Sequence, residues 1–325
     1  MKASYLDGRR IIVSDQVYLY LFGTSYLGLP YNSDFQSLLN EGLLKYGSSL
    51  GSSPISIPQL SVYEELESLL ASRYGYEEAL LFPSGYAAGQ AVVHFYGGQD
   101  YEIVYGNIAH PALLLTTNNI KEKKSKSTDS KLIAVDYIDP ITFEKYDLNT
   151  VDVEKGKVLI DISHGLGLFD KEIKLFSESS NIILCGSLNK ALGINAGLVL
   201  CSTILKKHLK SSMRYKTASA PSPSECYALH QAYASGLVQA QQVKLQKLIS
   251  SFKPEAPAGY VENFPVLKMQ DHSKELSDRL KQNEILIWRN RYPTRDSPMV
   301  NRAVFTAAHK EEDVITLLEQ LQKLS

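Results

Sequence analysis

The 325-residue sequence predicts an α/β fold in which a mostly parallel sheet is covered by helices, followed by a small α+β domain. Two observations lead to this prediction. Between residues 62 and 201, short apolar segments that suit buried strands alternate with amphipathic helical segments. After about residue 215 this alternation ends, and a long helical stretch precedes a mixture of strands and helices. We therefore expect a large domain at 46–220, a small domain at 221–325, and an N-terminal segment at 1–45 that packs against the small domain.

Apolar periodicity and turn residues define the expected elements. The strands of the large domain are expected at 78–82, 101–104, 131–135, 157–161, 181–185 and 197–201. A helix is expected at 34–46, with Ser33 as its N-cap. The helices of the large domain are expected at 62–74, with Ser61 as N-cap, and at 86–93 and 111–116. Residues 11–28 predict short strands, residues 224–250 one long helix, and residues 254–259 a linker. The small domain is expected to contain strands at 264–269, 285–288 and 300–306 and helices at 273–282 and 311–324.

Composition and charge argue against several classes of function. The formal net charge of −1 gives no overall field that would attract nucleic acid or an acidic membrane. Cys185, Cys201 and Cys226 lack the spacing of a metal site, so no metal is expected. Their odd, sparse number, without a recognisable secretion signal, favours the reducing cytoplasm. No apolar run reaches the ~18 residues of a membrane span.

Two segments carry the strongest chemical signals. Lys190 follows a strand that ends in Gly186-Ser187, and its neighbours are small or apolar, which favours the neutral amine that Schiff-base chemistry requires. Asp161 ends an apolar strand, and His164 follows three residues later. Ligands bind at this edge of a parallel sheet, where a carboxylate can hold a protonated ring nitrogen. The alternatives are a surface lysine, an aspartate that caps a turn, and a polar loop histidine.

Three further positions have a functional and a structural interpretation each. Ser84-Gly85 separates a strand from a helix that begins at Tyr86, so free N–H groups there suit a phosphate, or Ser84 is simply an N-cap. His110, in a loop before Pro111, can stack on a flat ligand or serve as a core or cap histidine. Arg302, at the start of an apolar strand, can clamp a carboxylate bidentately or form a surface ion pair.

The order and spacing of these residues are more specific than any one of them. Together with Tyr26-Leu27-Gly28-Leu29 and the closing Thr306-Ala307-Ala308-His309, they resemble the fold-type I pyridoxal phosphate (PLP) enzymes. Within these the chain resembles the α-oxoamine synthase family, and is nearest to its 8-amino-7-oxononanoate synthases. The resemblance covers nearly the whole chain and implies the fold of the PLP-dependent transferases.

The resemblance implies a role for each matching residue of the PLP site. Lys190 matches the Schiff-base lysine, which also serves as base and acid at the substrate Cα. Asp161 matches the carboxylate that pairs with the pyridinium nitrogen, which keeps the ring an electron sink. His164 matches the histidine near the ring hydroxyl, and His110 the histidine that stacks on the ring face.

The remaining matches concern the phosphate, the partner subunit and the substrate. The phosphate cradle is matched by Ser84, Gly85 and Tyr86, with Ser187 as a second contact. Thr217 and Ser219 resemble the segment that reaches the partner subunit's phosphate, which implies a homodimer with a shared active site. The substrate side is matched by Arg302, for the amino-acid carboxylate, and by Thr24, which stands where the family has Asn.

The implied reaction is the PLP-dependent decarboxylative condensation of a small amino acid with an acyl-CoA to an α-amino ketone. The chain departs from the family pattern mainly on the substrate side. Thr24-Ser25 replaces Asn-Asp, Gly89 replaces Asn, and Val135–Pro140 stands in place of Glu-x-x-(Phe/Tyr)-Ser-Met-Asp-Gly. These departures leave two alternatives open: another PLP reaction without CoA (aldolase, decarboxylase or aminotransferase), and a non-catalytic subunit.

Overall fold

A computed structural model describes residues 2–99, 101–106, 109–115, 130–151, 153–154, 156–251, 261, 263–291 and 295–324. The chain divides into a large unit (Ser37–Lys190 and Ile194–Ser235) and a small unit (Met1–Gln36, Ala191–Gly193 and Gly236–Ser325). The boundaries therefore differ from those expected at 45/46 and 220/221. Helix Pro223–Ala234 belongs to the large unit because it packs against helix Ser61–Tyr74.

The large unit is built on a sheet with the strand order β4-β9-β8-β7-β6-β5. Its strands are β4 (Glu78–Phe82), β5 (Glu102–Tyr105), β6 (Lys131–Asp136), β7 (Lys157–Asp161), β8 (Ile182–Ser187) and β9 (Gly197–Cys201). Strands β5 to β8 are parallel neighbours, and β9 is antiparallel to both β8 and β4. All residues of β9 are buried, as are all but the first of β4 and β7, so both sheet faces are covered. The predicted mostly parallel, doubly covered sheet is confirmed.

The helices up to residue 234 are α1 (Ser33–Tyr46), α2 (Ser61–Tyr74), α3 (Gly85–Gly97), α4 (Asp170–Leu175), α5 (Thr203–Ser211), α6 (Met213–Lys216) and α7 (Pro223–Ala234). Helices α2, α3 and α5 pack directly against this sheet. An apolar core lies between α3, α5 and the sheet, and Phe82, Val92, Leu159, Val199 and Leu209 belong to it.

Three local predictions in this part of the chain are wrong. The N-cap of α1 is Asn32 rather than Ser33, because Asn32 Oδ1 accepts from the amides of Asp34 and Phe35, both at 3.0 Å. Helix α2 already includes Ser61, and Leu60 at its N-cap makes no side-chain capping bond. Residues 111–115 form a turn rather than a helix, because the Gln90 side chain of α3 donates hydrogen bonds to their carbonyl groups.

The small unit has its own sheet, in the order β1-β2-β3-β11-β12-β10. Its strands are β1 (Ala3–Leu6), β2 (Arg10–Val13), β3 (Gln16–Leu21), β10 (Val266–Lys268), β11 (Ile285–Arg291) and β12 (Met299–Val304), and its helices are α8 (Leu237–Ser250), α9 (Lys274–Gln282) and α10 (Glu311–Leu324). The N-terminal strands join the C-terminal ones because β3 pairs in parallel with β11. The long helix predicted at 224–250 is two helices, α7 and α8, interrupted at Ser235-Gly236. The predicted linker at 254–259 lies outside the described residues. None of the described helices is long and apolar enough to span a membrane.

Candidate active site

Apart from Thr217 and Ser219, the predicted site residues of the large unit lie at the carboxyl edge of its sheet. Strand β7 ends at Asp161 and β8 ends at Ser187, three residues before Lys190. The end of β4 lies at the same edge, because Phe82 and Ser187 both pair with Gly197. Parallel strands bring their carboxyl ends together, and ligands of α/β proteins bind there.

Asp161 is buried at this edge and is tied to the Ser187 loop through Ser163. The Ser163 amide donates to Asp161 Oδ1 at 2.8 Å, and Ser163 Oγ accepts from the Ser187 amide at 2.8 Å. In the described part of the chain, no other donor reaches the Asp161 carboxylate. The turn-capping role that the sequence left open is therefore present, and it leaves Oδ2 for a further donor.

His110 is held from both its backbone and its ring. Its backbone amide donates to Asp136 Oδ2 at 2.7 Å, and its Nδ1 accepts from the Ala112 amide at 3.1 Å. Burial lowers the pKa of His110; the charge of Asp161 opposes this effect, and that of Lys190 adds to it. The neutral ring with its proton on Nε2 fits this arrangement. The charges of Asp161 and Lys190 thus affect the pKa of His110, the residue that was predicted to stack on the ring face.

Helix α3 holds the turn that follows His110. A Cβ added at Gly89 would lie 2.7 Å from the carbonyl oxygen of Ala112. Gln90 Nε2 donates to the carbonyl of Ala112 at 3.0 Å and to that of Leu114 at 2.6 Å. Gly89, one of the departures from the family pattern, therefore lets α3 pack directly against this turn.

Asp136 is a site residue to which the sequence analysis gave no role. It ends β6, is buried, and pairs in register with Asp161 on β7. Burial raises the pKa of Asp136 to about 8, the charge of Asp161 adds to this effect, and the His110 amide and Lys190 oppose it. A sequence signal existed, because Asp136 follows the predicted strand 131–135 much as Asp161 ends the next one.

Ser84, Gly85 and Tyr86 surround the start of α3. Ser84 is the N-cap, and its side chain accepts from the Ala87 amide at 3.1 Å, so the capping interpretation is correct. A Cβ at Gly85 would lie 2.7 Å from Cα and Cβ of Ser187, so only glycine lets the two loops approach this closely. The first N–H groups of a helix have no carbonyl partner within it. A phosphate between α3 and Ser187 would find such donors.

His164 is buried beside the same edge. Its ring meets the ring of Phe143 nearly edge-on, with centroids 6.1 Å apart and planes at 80°. Phe143 follows the segment Val135–Pro140, where the sequence departs from the family pattern. His164 therefore lies in the turn after β7 as a buried residue rather than an exposed one.

Thr217 and Ser219 lie elsewhere on the large unit. Both are exposed and line a cavity of about 180 Å³ together with Ser49, Gly51, Ser52 and Ser53. Thr217 Oγ1 donates to the Met213 carbonyl at 2.8 Å. Among the described residues no hydrogen bond joins either side chain to the cluster around Lys190, so the single chain does not bring them together.

Arg302 and Thr24 belong to the small unit. Arg302, on β12, is buried, and its Cζ lies 3.9 Å from the ring centroid of Trp288. Arg302 is therefore not a surface residue, as the alternative interpretation assumed. The carbonyl of Thr24 accepts from the Tyr26 amide at 2.8 Å, and the Tyr26 carbonyl accepts from Ala307 at 2.8 Å. Thr24 thus adjoins the segment Thr306–His309.

The residues of the large unit fit PLP. The sheet edge offers Asp161 with one carboxylate oxygen left for a ring N–H. The start of α3 and the Ser187 loop form a candidate phosphate site. Gly85 lies so close to Ser187 there that a Cβ would not fit. Lys190, partly buried, supplies the amine.

Comparison with known proteins supports this fit. The family model of class I and II aminotransferases matches residues 145–321. The 8-amino-7-oxononanoate synthase of Vibrio cholerae serotype O1 is 25% identical over 96% of this chain and 89% of its own. A serine palmitoyltransferase from S. paucimobilis, solved with a bound PLP–myriocin aldimine, has a TM-score of 0.78 at 16% identity over 99% of this chain and 90% of its own. The 8-amino-7-oxononanoate synthase of Francisella tularensis has a TM-score of 0.72 at 18% identity over 94% of this chain and 97% of its own.

The predicted resemblance and the fold-type I architecture are confirmed by these matches. Because the family model spans more than half of the sequence, the chain belongs to the class I and II aminotransferase family.

Proposed function

We propose that this protein binds PLP on Lys190 and catalyses the decarboxylative condensation of a small amino acid with an acyl-CoA, as an 8-amino-7-oxononanoate synthase does. The observation that carries the proposal is the cluster of Asp161, His110 and Lys190 at one sheet edge, in a chain that matches such a synthase over 96% of its length. When bound, PLP supplies an electron sink for a carbanion at the amino-acid Cα. In the overall reaction Cα bonds to the acyl carbon, the thioester C–S bond breaks, and carbon dioxide and CoA leave.

The residues around the ring each have a distinct task. Lys190 holds the cofactor and moves the proton at the substrate Cα. Asp161 accepts the pyridinium N–H and keeps that proton on the ring. His110, neutral and fixed by Asp136 and Ala112, would pack on the face of the bound ring, and His164 would interact with the ring hydroxyl.

The other predicted residues hold the two ends of the reacting molecule. The phosphate is bound by Ser84, Gly85 and Tyr86 at the start of α3, and by Ser187. Arg302 binds the amino-acid carboxylate, and its burial against Trp288 favours a directed, partly dehydrated guanidinium. Thr24 also contributes to binding of the amino-acid substrate.

We further propose a homodimer in the cytoplasm, in which Thr217 and Ser219 reach the partner's phosphate. Large apolar side chains of the large unit support an interface, since Leu44, Ile57 and Met213 are 83%, 93% and 70% exposed. The three cysteines are buried and free, which suits a reducing compartment.

Release of the CoA thiol tests the proposed reaction. The purified protein is incubated with PLP, one of glycine, alanine or serine, and a panel of acyl-CoAs. We expect thiol release only when both substrates are present. The variant Lys190→Ala should lower the rate by about 10³-fold, since it removes the acid–base group. Lys244→Ala, at an exposed position of α8, is the control and should leave the rate unchanged.

Turnover of the amino acid without any thioester would contradict the condensation. It would favour an aldolase, decarboxylase or aminotransferase reaction on the same cofactor. This alternative is motivated by the departures at Thr24-Ser25 and Val135–Pro140.

A further inference from the structure

We infer that the Asp136 side chain works as an uncharged hydrogen-bond acceptor that positions His110, and that it leaves the negative charge of the site on Asp161. The inference rests on the proposed function, because it concerns how His110 is presented to the face of the PLP ring. Asp136 is a positioning residue: it acts on the cofactor through His110 and Asp161.

The two aspartates lie next to each other in the sheet. Asp136 and Asp161 are register partners at the ends of adjacent parallel strands, β6 and β7. Neighbouring strands lie about 4.8 Å apart. Both side chains are buried, with 8% and 5% of their surface exposed. Two carboxyl groups therefore stand side by side at the sheet edge where the ring nitrogen is expected.

Each of the two carboxyl groups accepts a hydrogen bond from a backbone amide. Asp136 Oδ2 accepts from the His110 amide at 2.7 Å, and Asp161 Oδ1 accepts from the Ser163 amide at 2.8 Å. In the part of the chain that the structure describes, neither carboxyl group forms a salt bridge. Two buried carboxylates without a direct cationic partner repel each other, and one retained proton removes the repulsion.

The charged groups around Asp136 decide where that proton resides. Burial and the charge of Asp161 raise the pKa of Asp136 to about 8, and Asp139 adds to this rise. The amide of His110 and the charge of Lys190 oppose it without cancelling it. The proton therefore stays on Asp136 near neutral pH, which leaves Asp161 to accept a pyridinium N–H.

The neutral state is compatible with the hydrogen bond to His110. A protonated carboxyl still has an acceptor oxygen for the His110 amide, and so does the side-chain amide of asparagine, which has nearly the same shape. Alanine has none, so it would leave the amide unpaired at the start of the turn that α3 holds. Asparagine in place of Asp136 should thus preserve the hydrogen bond to the His110 amide, whereas alanine should not.

The test measures PLP binding to the full-length protein freed of cofactor, by the visible absorption of the complex. We expect Asp136→Asn to bind PLP within about threefold of the unsubstituted protein, and Asp136→Ala about tenfold more weakly. Asp161→Asn is the charge control, and it should weaken binding and change the absorption band. If asparagine weakens binding as much as alanine does, the site needs the charge of Asp136 and the inference fails.

A second readout responds to protonation alone. The pKa of Asp136 rises from the ordinary 3.8 to about 8 on folding, so the unfolded chain loses this proton first as pH rises. The unsubstituted protein then loses stability between about pH 4 and pH 8, and Asp136→Asn, which cannot titrate, does not share this loss. The melting temperature of Asp136→Asn minus that of the unsubstituted protein should therefore increase from pH 5 to pH 8.

These outcomes separate the inference from the proposed function. If the unsubstituted protein binds no PLP, the proposed function fails, while the melting profiles still test the uncharged state of Asp136. Should Asp136→Ala not fold, the comparison with asparagine carries the test. Parallel melting profiles from pH 5 to pH 8 would overturn the inference.

Discussion

Ser163 is the residue that connects the two loops of the candidate site. Its amide donates to Asp161, and its hydroxyl oxygen accepts from the amide of Ser187. An alanine at this position could supply the first bond and not the second. The orientation of Asp161 and the phosphate cradle are therefore coupled in this chain by one buried hydroxyl.

We predict that Ser163→Ala lowers the free energy of unfolding by about 1–2 kcal/mol, because the Ser187 amide loses its acceptor. Denaturant unfolding of the cofactor-free protein measures this loss. The control Ser211→Ala, at the exposed end of α5, should change it by less than about 0.5 kcal/mol. Ser163→Ala should also weaken PLP binding, since Ser187 adjoins Gly85. Unchanged stability and PLP affinity would show that the loops are held by other contacts.

At the scale of elements, the sequence predicted best where burial is complete. The bounds of β4, β7, β9 and α10 are as expected, because each is an apolar or amphipathic run bounded by turn residues. One prediction failed because a distant side chain decides the local structure. Residues 111–115 have a helix-like composition, yet Gln90 of α3 satisfies their carbonyls and keeps them as a turn.

The residues of the candidate site also differ in whether the sequence could predict them. The sequence could bring Asp161, Ser187 and Lys190 to one edge, because strand ends and their order follow from local pattern and from family resemblance. It could not give Asp136 its place, since that depends on β6 lying beside β7 in a register that pairs Asp136 with Asp161. The roles assigned to the individual residues remain predictions.

At the scale of the whole molecule, we propose that two chains form each active site. Thr217 and Ser219 are exposed and have no hydrogen bond to the Lys190 cluster within the described residues. Apolar side chains are exposed on the same unit, as an interface between copies would require. In a symmetric dimer each site would combine Lys190 of one chain with Thr217 of the other.

Complementation tests this arrangement. Lys190→Ala and the double variant Thr217→Ala/Ser219→Ala should each lose most of the CoA release. When the two are co-expressed in equal amounts, half of the dimers are mixed, and each mixed dimer holds one intact site. We expect about a quarter of the unsubstituted activity to return. Activity no higher than the sum of the separate variants would contradict a shared site.

The central claim is that Lys190 carries the cofactor, and chemical trapping tests it most directly. The purified protein is loaded with PLP, reduced with borohydride, digested and analysed by mass spectrometry. Reduction turns the carbon–nitrogen double bond between PLP and the lysine into a stable amine. We predict one phosphopyridoxyl group on the peptide that contains Lys190, and none on the Lys190→Ala protein. A chain modified at another lysine, or at none, would contradict the account.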